Sequence, residues 1–341
     1  MIETLITAEQ AAEFGGRIET VNGSRVLSCG WTPPADRDAG MVAADAAARL
    51  GFSEFRIQGR SAVGSVRRAG QYTWARRANG GRAVLYVWQQ TGSCVGAGGA
   101  NAVYNLMGVE CARLGEPEKF TQIFWPYTYG RSRARAGMRG RGEGSSGTTW
   151  AEAARLDGFV MAGFPGTPKP ENSEYQERYS GAVEMEWSDG NRAAVDLRDA
   201  AKVHVIKTQA VARSADDVRD ALVNLHAVTT AGDWGGLGVC PVVDGVRLNR
   251  HADTWNHQQS IIDWWDHPSL GEIFLWLNQW PLKYHGTPLE SEACDGIPVP
   301  FCTYWTKKAD VEYQVRQGET IIHSAFDGFP GAPEYLPWAF V

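Results

Sequence analysis

Three residues of this sequence have the side chains and the order of a nucleophile, a base and an orienting amide: Cys94, His257 and Asn278. A cysteine thiol becomes a nucleophile when a base takes its proton, and the base works best when a third group fixes its ring. The histidine follows the cysteine by well over 100 residues, and the asparagine follows soon after. The pattern predicts acyl-transfer chemistry at a thiol, provided that the fold brings the three side chains together.

Cys94 is predicted to lie at the N-terminus of a helix. The apolar run 83–88 indicates a buried strand, residues 89–94 indicate a turn, and the small-residue stretch 95–114 indicates a helix. The positive end of a helix dipole and its unpaired N–H groups favour the thiolate form of a cysteine placed there. A lone cysteine is otherwise more often a small core residue, so the interpretation depends on the histidine and the asparagine.

The histidine and the asparagine are predicted to lie on neighbouring strands. His257 comes just before the apolar run 261–265, and Asn278 comes just after the run 273–277. Both runs have the length and composition of buried strands. Two adjacent strands can hold both side chains on one face of a sheet, because alternate residues of a strand point to the same side.

Several short blocks of the sequence resemble segments of the papain-like cysteine peptidases, in the order that this family shows. The blocks similar to the nucleophile, histidine, asparagine and substrate-binding segments are Gly92-Ser93-Cys94-Val95, Asn256-His257, Asn278-Gln279-Trp280 and residues 145–151. Together they extend over roughly residues 80–285. The Arg- and Gly-rich stretch 130–149 and the tail 326–330 are similar to divergent members carried by bacteria and bacteriophages.

The resemblance implies a role for each of the chemical residues. Cys94 would attack the scissile carbonyl, and His257 would be its ion-pair partner and proton donor. Asn278 would orient His257, and Trp280 would shield their hydrogen bond from water.

The resemblance also implies an oxyanion hole and a strand that binds substrate. In the family a glutamine six residues before the cysteine donates to the oxyanion. Here that position is Trp88, and Gln89 and Gln90 stand five and four residues before the nucleophile. Either glutamine could take this role, and loss of the donor would remove about 2.7–4 kcal/mol of transition-state stabilisation. Ser146 and Gly147 would pair with the backbone of a peptide substrate as an added strand.

Composition and charge disfavour several other classes of protein. The chain has 33 Lys and Arg against 39 Asp and Glu, a net charge of −6, which disfavours binding to nucleic acid or an anionic membrane. Six cysteines include no C-x-x-C pair, so we expect no metal site and no cofactor. No apolar stretch approaches the roughly 18 residues of a membrane span. The first residues lack the basic character of an export signal. The sequence does not fix the location, and the virion and the host cytoplasm are the two candidates.

The predicted elements indicate an α+β chain, for which the resemblance implies a papain-like two-lobed fold with a helical lobe and a β-barrel-like lobe. Residues 1–75 are expected to form an N-terminal extension, and residues 76–341 the peptidase domain. The helical lobe would occupy about residues 80–165, and the β-rich lobe about residues 180–341. The remaining predictions are an exposed loop over 130–149, helices over 39–50, 150–156 and 214–225, and strands over 183–187, 203–206 and 311–315.

Two functions are compatible with these features. The first is a cysteine peptidase that cleaves peptide or protein substrates. The second is a catalytically silent protein of the same fold, with a structural or assembly role in a bacteriophage particle. Its virion partners would contact the Arg-rich stretch 131–141. Contact between these arginines and nucleic acid is a weaker alternative.

Overall fold

The computed structural model combines a helix-rich part with a large mixed sheet. It describes residues 5–13, 15–21, 23–32, 57–58, 66–114, 120–173, 176–190, 195–280, 297–317, 319–324 and 329–330. The predicted helix over 39–50 lies outside the described residues. Within these ranges, no helix combines the length and the apolar character needed to cross a membrane.

The described elements follow one another along the chain as short helices and strands. The helices are α1 (Ala8–Ala12), α2 (Gln71–Ala78), α3 (Cys94–Val109), α4 (Trp125–Arg135), α5 (Gly147–Leu156), α6 (Gly181–Trp187), α7 (Val195–Ala201), α8 (Ala215–Val223) and α9 (Lys308–Gln317), and a π-helical turn (Glu110–Leu114) follows α3. The strands are β1 (Arg17–Val21), β2 (Ser24–Ser28), β3 (Ile57–Gln58), β4 (Tyr86–Val87), β5 (Glu171–Asn172), β6 (Gln176–Arg178), β7 (Thr208–Val211), β8 (Ala227–Gly235), β9 (Val242–Val243), β10 (Val246–Arg247), β11 (Asp253–His267), β12 (Gly271–Leu277), β13 (Thr303–Lys307), β14 (Glu319–Ser324) and β15 (Phe329–Pro330).

The main sheet is built around β11. Its strands lie in the order β1-β2-β11-β8-β14-β7, and β12 also pairs with β11 and carries β13. The neighbours β8 and β12 are antiparallel to β11, whereas β2 runs parallel to residues 254–256. Among the described strands the sheet branches and does not close into a barrel. The α+β prediction is therefore confirmed, without barrel closure, and the division into two lobes stays a prediction.

Helices cover both faces of the sheet. α3 packs on β8 and β11 from one side, and α8 and α9 pack on the sheet from the other. Successive strand residues therefore enter different core clusters: Ile262 and Leu275 lie on the α3 side, and Ile261 and Phe274 lie on the α8 side. Because helices cover both faces, nearly every residue of β8, β11 and β14 is buried, including the polar ones.

The small residues of α3 allow it to lie at the centre of the helical lobe. Every residue of the helix except Met107 is buried. Gly99 is essential to this packing, because a Cβ there would lie 2.0 Å from the indole of Trp150. The predicted small-residue helix is thus confirmed, and its composition is explained by the aromatic side chains that press against it.

Three predicted strands are wrong. The run 183–187 lies in helix α6, which Ser180 caps by accepting from the N–H of Val183. The run 311–315 lies in helix α9, and the run 203–206 forms a connection without strand pairing. Short apolar runs do not distinguish a strand from a buried helix face, so only tertiary packing decides between them.

The predicted exposed loop over 130–149 is only partly correct. Residues up to Arg135 continue helix α4, and residues from Gly147 onward begin α5. Residues 136–146 form a connection in which Arg139 and Arg141 are exposed, whereas the three arginines of the helix bond internally. Arg133 is buried and donates to backbone carbonyls of the turn after the helix. Arg131 and Arg135 both pair with the carboxylate of Asp157. The predicted virion partners at stretch 131–141 would therefore meet only two exposed arginines, Arg139 and Arg141, and nothing in the fold supports such partners.

Candidate active site

Cys94 is the first residue of α3, so the prediction that it lies at a helix N-terminus is confirmed. The turn before it is held by the buried carboxylate of Glu184. This side chain accepts from the N–H groups of Gln90 and Thr91 and from the hydroxyls of Thr91 and Ser93. Burial raises the pKa of Glu184 to about 7, and these donors oppose the shift. One acceptor thereby fixes the turn that presents the thiol.

His257 and Asn278 meet across β11 and the end of β12. The ring Nε2 of His257 lies 3.0 Å from Oδ1 of Asn278, and that oxygen also accepts from the N–H of Gln279. Because Oδ1 is an acceptor in both contacts, Nε2 carries the hydrogen and Nδ1 of the neutral ring is left as an acceptor. Trp280 stacks on the ring, with centroids 5.1 Å apart.

The thiol of Cys94 lies beside the same segment of β11. The N–H of Gln258, the residue after His257, donates to Sγ of Cys94 at 3.4 Å. The side chain of Gln258 also donates to the carbonyl of Val95, which joins α3 to the strand. The structure thus brings the thiol next to the backbone of the histidine segment.

Gln279 is a further contact that the sequence analysis did not assign to the site. Its Nε2 donates to the carbonyl of Cys94 at 3.3 Å and to the carbonyl of Gln258. It therefore holds the nucleophile segment and the histidine segment together. Its only sequence signal was its position directly after Asn278.

Residues 29–32, called here the covering segment, lie across the site. The N–H groups of Cys29 and Trp31 both donate to the carbonyl of Asn256, at 3.0 and 3.3 Å. On the opposite side, Thr32 donates to the carbonyl of Ser145 at 2.8 Å, and Ser145 donates to the carbonyl of Gly30 at 2.9 Å. A peptide backbone therefore occupies the groove between the histidine strand and the residues before α5.

The covering segment also contacts the turn that carries the nucleophile. Nε2 of Gln89 donates to the carbonyl of Cys29 at 3.2 Å, and the backbone N–H of Trp31 acts to lower the pKa of the Cys94 thiol. Gly30 has φ +107°, and a Cβ there would lie 2.0 Å from the carbonyl oxygen of Gly92. No side chain fits at this position without displacing the segment.

The two glutamines predicted for the oxyanion hole differ in position. Gln89 is buried and reaches the peptide carbonyl in the groove. The Cβ of Gln90 instead lies near Gly181, at the start of α6. Of the two side chains, that of Gln89 is the one that contacts the covering segment, and it also donates to the carbonyl of Thr91 at 2.8 Å.

Ser146 and Gly147, predicted to pair with substrate, make other contacts here. Ser146 is the N-cap of α5 and accepts from the N–H of Thr149 at 3.2 Å. The N–H of Gly147 donates to Glu319 at 2.6 Å. The backbone pairing with the covering segment is made by Ser145, one residue earlier.

Burial disfavours the charged forms of the Cys94 thiol and the His257 ring in this covered form. It raises the pKa of Cys94 to about 12, and hydrogen bonds from backbone N–H groups only partly oppose the shift. It lowers the pKa of His257 to about 4, against the effect of the Asn278 contact. A thiolate–imidazolium pair is thus disfavoured while the segment is in place.

Comparisons with known proteins bear on the fold. No protein-family model matches the chain, and no curated protein matches it significantly. The chain is similar to the crystal structure of xylellain, a cysteine protease from Xylella fastidiosa, with TM-score 0.52 and 12% identity, covering 87% of this chain and 96% of that one. It is also similar to digestive procathepsin L2 proteinase from Tenebrio molitor larval midgut (TM-score 0.47, 11% identity, 94% and 81% covered). A third similar structure is proCathepsin B S9 from Trypanosoma congolense (TM-score 0.46, 10% identity, 97% and 90% covered). The chain therefore has the papain-like fold, in a divergent form.

Proposed function

We propose that this chain is a cysteine peptidase whose groove is closed by its own covering segment. The observation that carries the proposal is the backbone in the groove. It bonds Asn256 on one side and Ser145 on the other, and it presents a carbonyl to Gln89 beside the thiol. These are the contacts by which a groove would bind a peptide in extended form.

The reaction proposed for Cys94, His257 and Asn278 is hydrolysis of a peptide bond through a thioester. Nδ1 of His257 takes the thiol proton, and Sγ of Cys94 bonds to the substrate carbonyl carbon. The oxygen of the tetrahedral intermediate accepts from the N–H of Cys94 and from Nε2 of Gln89. His257 gives the proton to the departing amine as the C–N bond breaks. It then deprotonates a water that hydrolyses the thioester, which releases the carboxylic acid and restores the thiol.

When the covering segment leaves the groove, we expect Cys94 and His257 to become a reactive thiolate–imidazolium pair. Desolvation is the largest cause of both pKa shifts, so access of water lowers the thiol pKa and raises the imidazole pKa. The thiolate then gains from the α3 N-terminus and from an adjacent imidazolium. The same two side chains would form the ion pair once the covering segment leaves.

The variant Gly30→Ala tests the proposal in the full chain, because it displaces the segment without altering a site side chain. The matched control is Gly23→Ala. Gly23 has φ +79° but nothing within 4 Å of an added Cβ, so the substitution introduces similar backbone strain, roughly 1–2 kcal/mol, without the clash. Alkylation by iodoacetamide at pH 6 is followed by peptide mass spectrometry, with the partly exposed Cys111 and Cys240 as internal references.

We expect Gly30→Ala to increase the alkylation rate of Cys94 by about tenfold or more over Gly23→Ala, about 1.4 kcal/mol in barrier. The rate should also exceed those of Cys111 and Cys240, and a mixed peptide substrate should be hydrolysed. Added Cys94→Ala should abolish hydrolysis. Labelling of Cys94 no faster than the reference thiols, together with no hydrolysis, would instead support a catalytically silent protein of this fold.

A further inference from the structure

The side chain of Trp31 fills a pocket beside the nucleophile. It is only 5% exposed and belongs to the same apolar cluster as Cys94. At the end of this pocket, its Nε1 donates to Oε2 of Glu319 at 3.0 Å. Glu319 is itself buried, with 3% of its surface exposed. A buried carboxylate thus receives the polar edge of an aromatic ring that the covering segment brings in.

Glu319 is held rigidly in this position. It is the first residue of β14 and pairs with Ala231 of β8. Its Oε2 accepts from the N–H of Gly147 at 2.6 Å, and its Oε1 accepts from the N–H and hydroxyl of Thr148. These donors form the N-terminus of α5, where a helix dipole favours a carboxylate. Three donors therefore fix the carboxylate, and the remaining capacity of Oε2 is taken by the indole.

We infer that this pocket determines the specificity of the proposed peptidase and takes a tryptophan side chain, with Glu319 as the residue that recognises the indole N–H. The inference rests on the proposed function. Trp31 is two residues from Cys29, whose carbonyl meets Gln89. The recognised tryptophan of a substrate accordingly lies within two residues of the bond that is cleaved.

The chemistry of the pocket favours an indole over side chains of similar size. Phenylalanine or leucine would fill the apolar space but would not supply the fourth hydrogen bond that the indole N–H gives to Glu319. A buried site that requires a donor discriminates strongly against a ligand that lacks it. An arginine would bring a donor, but the carboxylate already has three donors and the α5 dipole. The neutral N–H of an indole supplies the fourth hydrogen bond to Glu319 without burying a further charge.

The indole pocket can be tested by removing the Trp31 side chain and adding a small indole compound to replace it. In the full-length Trp31→Ala variant, thermal unfolding is measured with 3-methylindole, which has an N–H, and with 1-methylindole, which has the same size and no N–H. We expect 3-methylindole to bind at least about tenfold more tightly, as judged from the concentration dependence of Tm. The additional substitution Glu319→Gln leaves one acceptor oxygen for four donors and should remove most of that preference.

Trp74→Ala is the matched control. Trp74 is also buried, at 3% exposure, and its Nε1 has no hydrogen-bond partner among the described residues. The two methylindoles should therefore stabilise Trp74→Ala equally. Equal stabilisation of Trp31→Ala by both compounds, or stabilisation by neither, would overturn the assignment of an indole pocket.

Peptide substrates separate this inference from the proposed function. The Gly30→Ala chain is given alanine peptides with a fluorophore and a quencher at the two ends and Trp, Phe, Leu or Arg at one internal position, and the cleaved bond is identified by mass spectrometry. We expect kcat/KM for the Trp peptide to exceed its Phe counterpart by about tenfold or more, and Glu319→Gln to reduce this ratio. Equal turnover of all four, or preference for Arg, would overturn the indole assignment and leave the peptidase standing. No turnover, with methylindole discrimination intact, would overturn the peptidase and leave the pocket.

Discussion

The ring of His257 is fixed through one of its nitrogens. Nε2 bonds Asn278 at 3.0 Å, while Nδ1 has no hydrogen-bond partner among the described residues. The sequence order of Cys94, His257 and Asn278 was sufficient to predict that one segment of β11 contacts both Cys94 and Asn278. It could not choose between Gln89 and Gln90, because a difference of one residue in a turn is decided by the path of the backbone.

Asn278→Ala tests the orienting bond, in the Gly30→Ala background. The Asn278 contact raises the pKa of His257, so its loss should destabilise the imidazolium and shift the acid limb of the Cys94 alkylation profile to higher pH. We expect the rate at pH 6 to fall by about tenfold, about 1.4 kcal/mol. The buried Asn249, which binds Leu237 and lies outside the site, provides the control Asn249→Ala. Superimposable profiles for Asn278→Ala and the background would contradict the orienting role.

The other contacts of the site had no usable sequence signal. Trp31 and Glu319 are 288 positions apart, and Ser93 and Glu184 are 91 positions apart. Each is an ordinary residue type until the fold brings it to its partner. Residues of this kind can be assigned only from tertiary structure.

At the scale of elements, the serine capping signal of α8 was predictive, whereas apolar runs predicted β11 and β12 correctly and failed elsewhere. Ser214 caps α8 by accepting from the N–H of Asp217, as its sequence pattern indicates. The helix predicted over 150–156 begins earlier, at Gly147, with Ser146 as its cap. The run 311–315, predicted as a strand, lies in α9, because its apolar side chains face the sheet from a helix.

Glu184→Gln tests how α6 controls the turn before α3. Glutamine has nearly the shape of glutamate but one acceptor oxygen in place of the two that the wild-type donors share. The turn before Cys94 would therefore be held less firmly, and we expect slower alkylation of Cys94 in the Gly30→Ala background. The pKa of Glu184 is raised to about 7, so any step in the alkylation rate near pH 7 should disappear in the variant. Glu312→Gln, which alters a similar acceptor at the start of α8, should retain the step. Persistence of the step in Glu184→Gln would assign it to another group.

At the scale of the whole molecule, the α+β architecture could be predicted because helical patterns gather early in the chain and strand patterns late. The position of residues 29–32 could not be predicted. Their hydrogen bonds go to backbone groups of Asn256 and Ser145, and backbone pairing does not depend on which side chains are present. The internal pairing of Arg131 and Arg135 with Asp157 was likewise hidden by a composition typical of loops.

Buried titratable groups predict a narrow pH range of maximum stability. Burial raises the pKa of Glu177 to about 8, so the folded chain holds a proton that the unfolded chain releases. That stabilisation is complete below the ordinary glutamate pKa and is lost as the pH rises toward 8. His257 behaves oppositely, because its pKa is lowered to about 4, and its contribution is lost as the pH falls from about 6.5 toward 4.

Glu177→Gln is therefore expected to flatten the decline in Tm on the alkaline side, between about pH 5 and 8. The decline on the acid side should remain, because His257 is unchanged. Thermal unfolding across this range checks both limbs. The control is Glu171→Gln, which alters an exposed carboxyl of the neighbouring strand β5, paired with Arg178, and should leave the alkaline decline in place. An unaltered alkaline decline in Glu177→Gln would show that other groups produce it.

The parallel pairing of β2 with β11 links uncovering to the integrity of the sheet. Residues 254–256 of β11 pair with Val26, Leu27 and Ser28 of β2. If β1 and β2 left the sheet, backbone N–H and C=O groups of β11 next to His257 would lose these hydrogen-bond partners. An unprotected edge of this kind recruits any extended chain, including a second copy of the same protein. We expect the chain without β2 on β11 to dimerise or aggregate. A peptide substrate bound along the exposed edge of β11 would keep the chain monomeric.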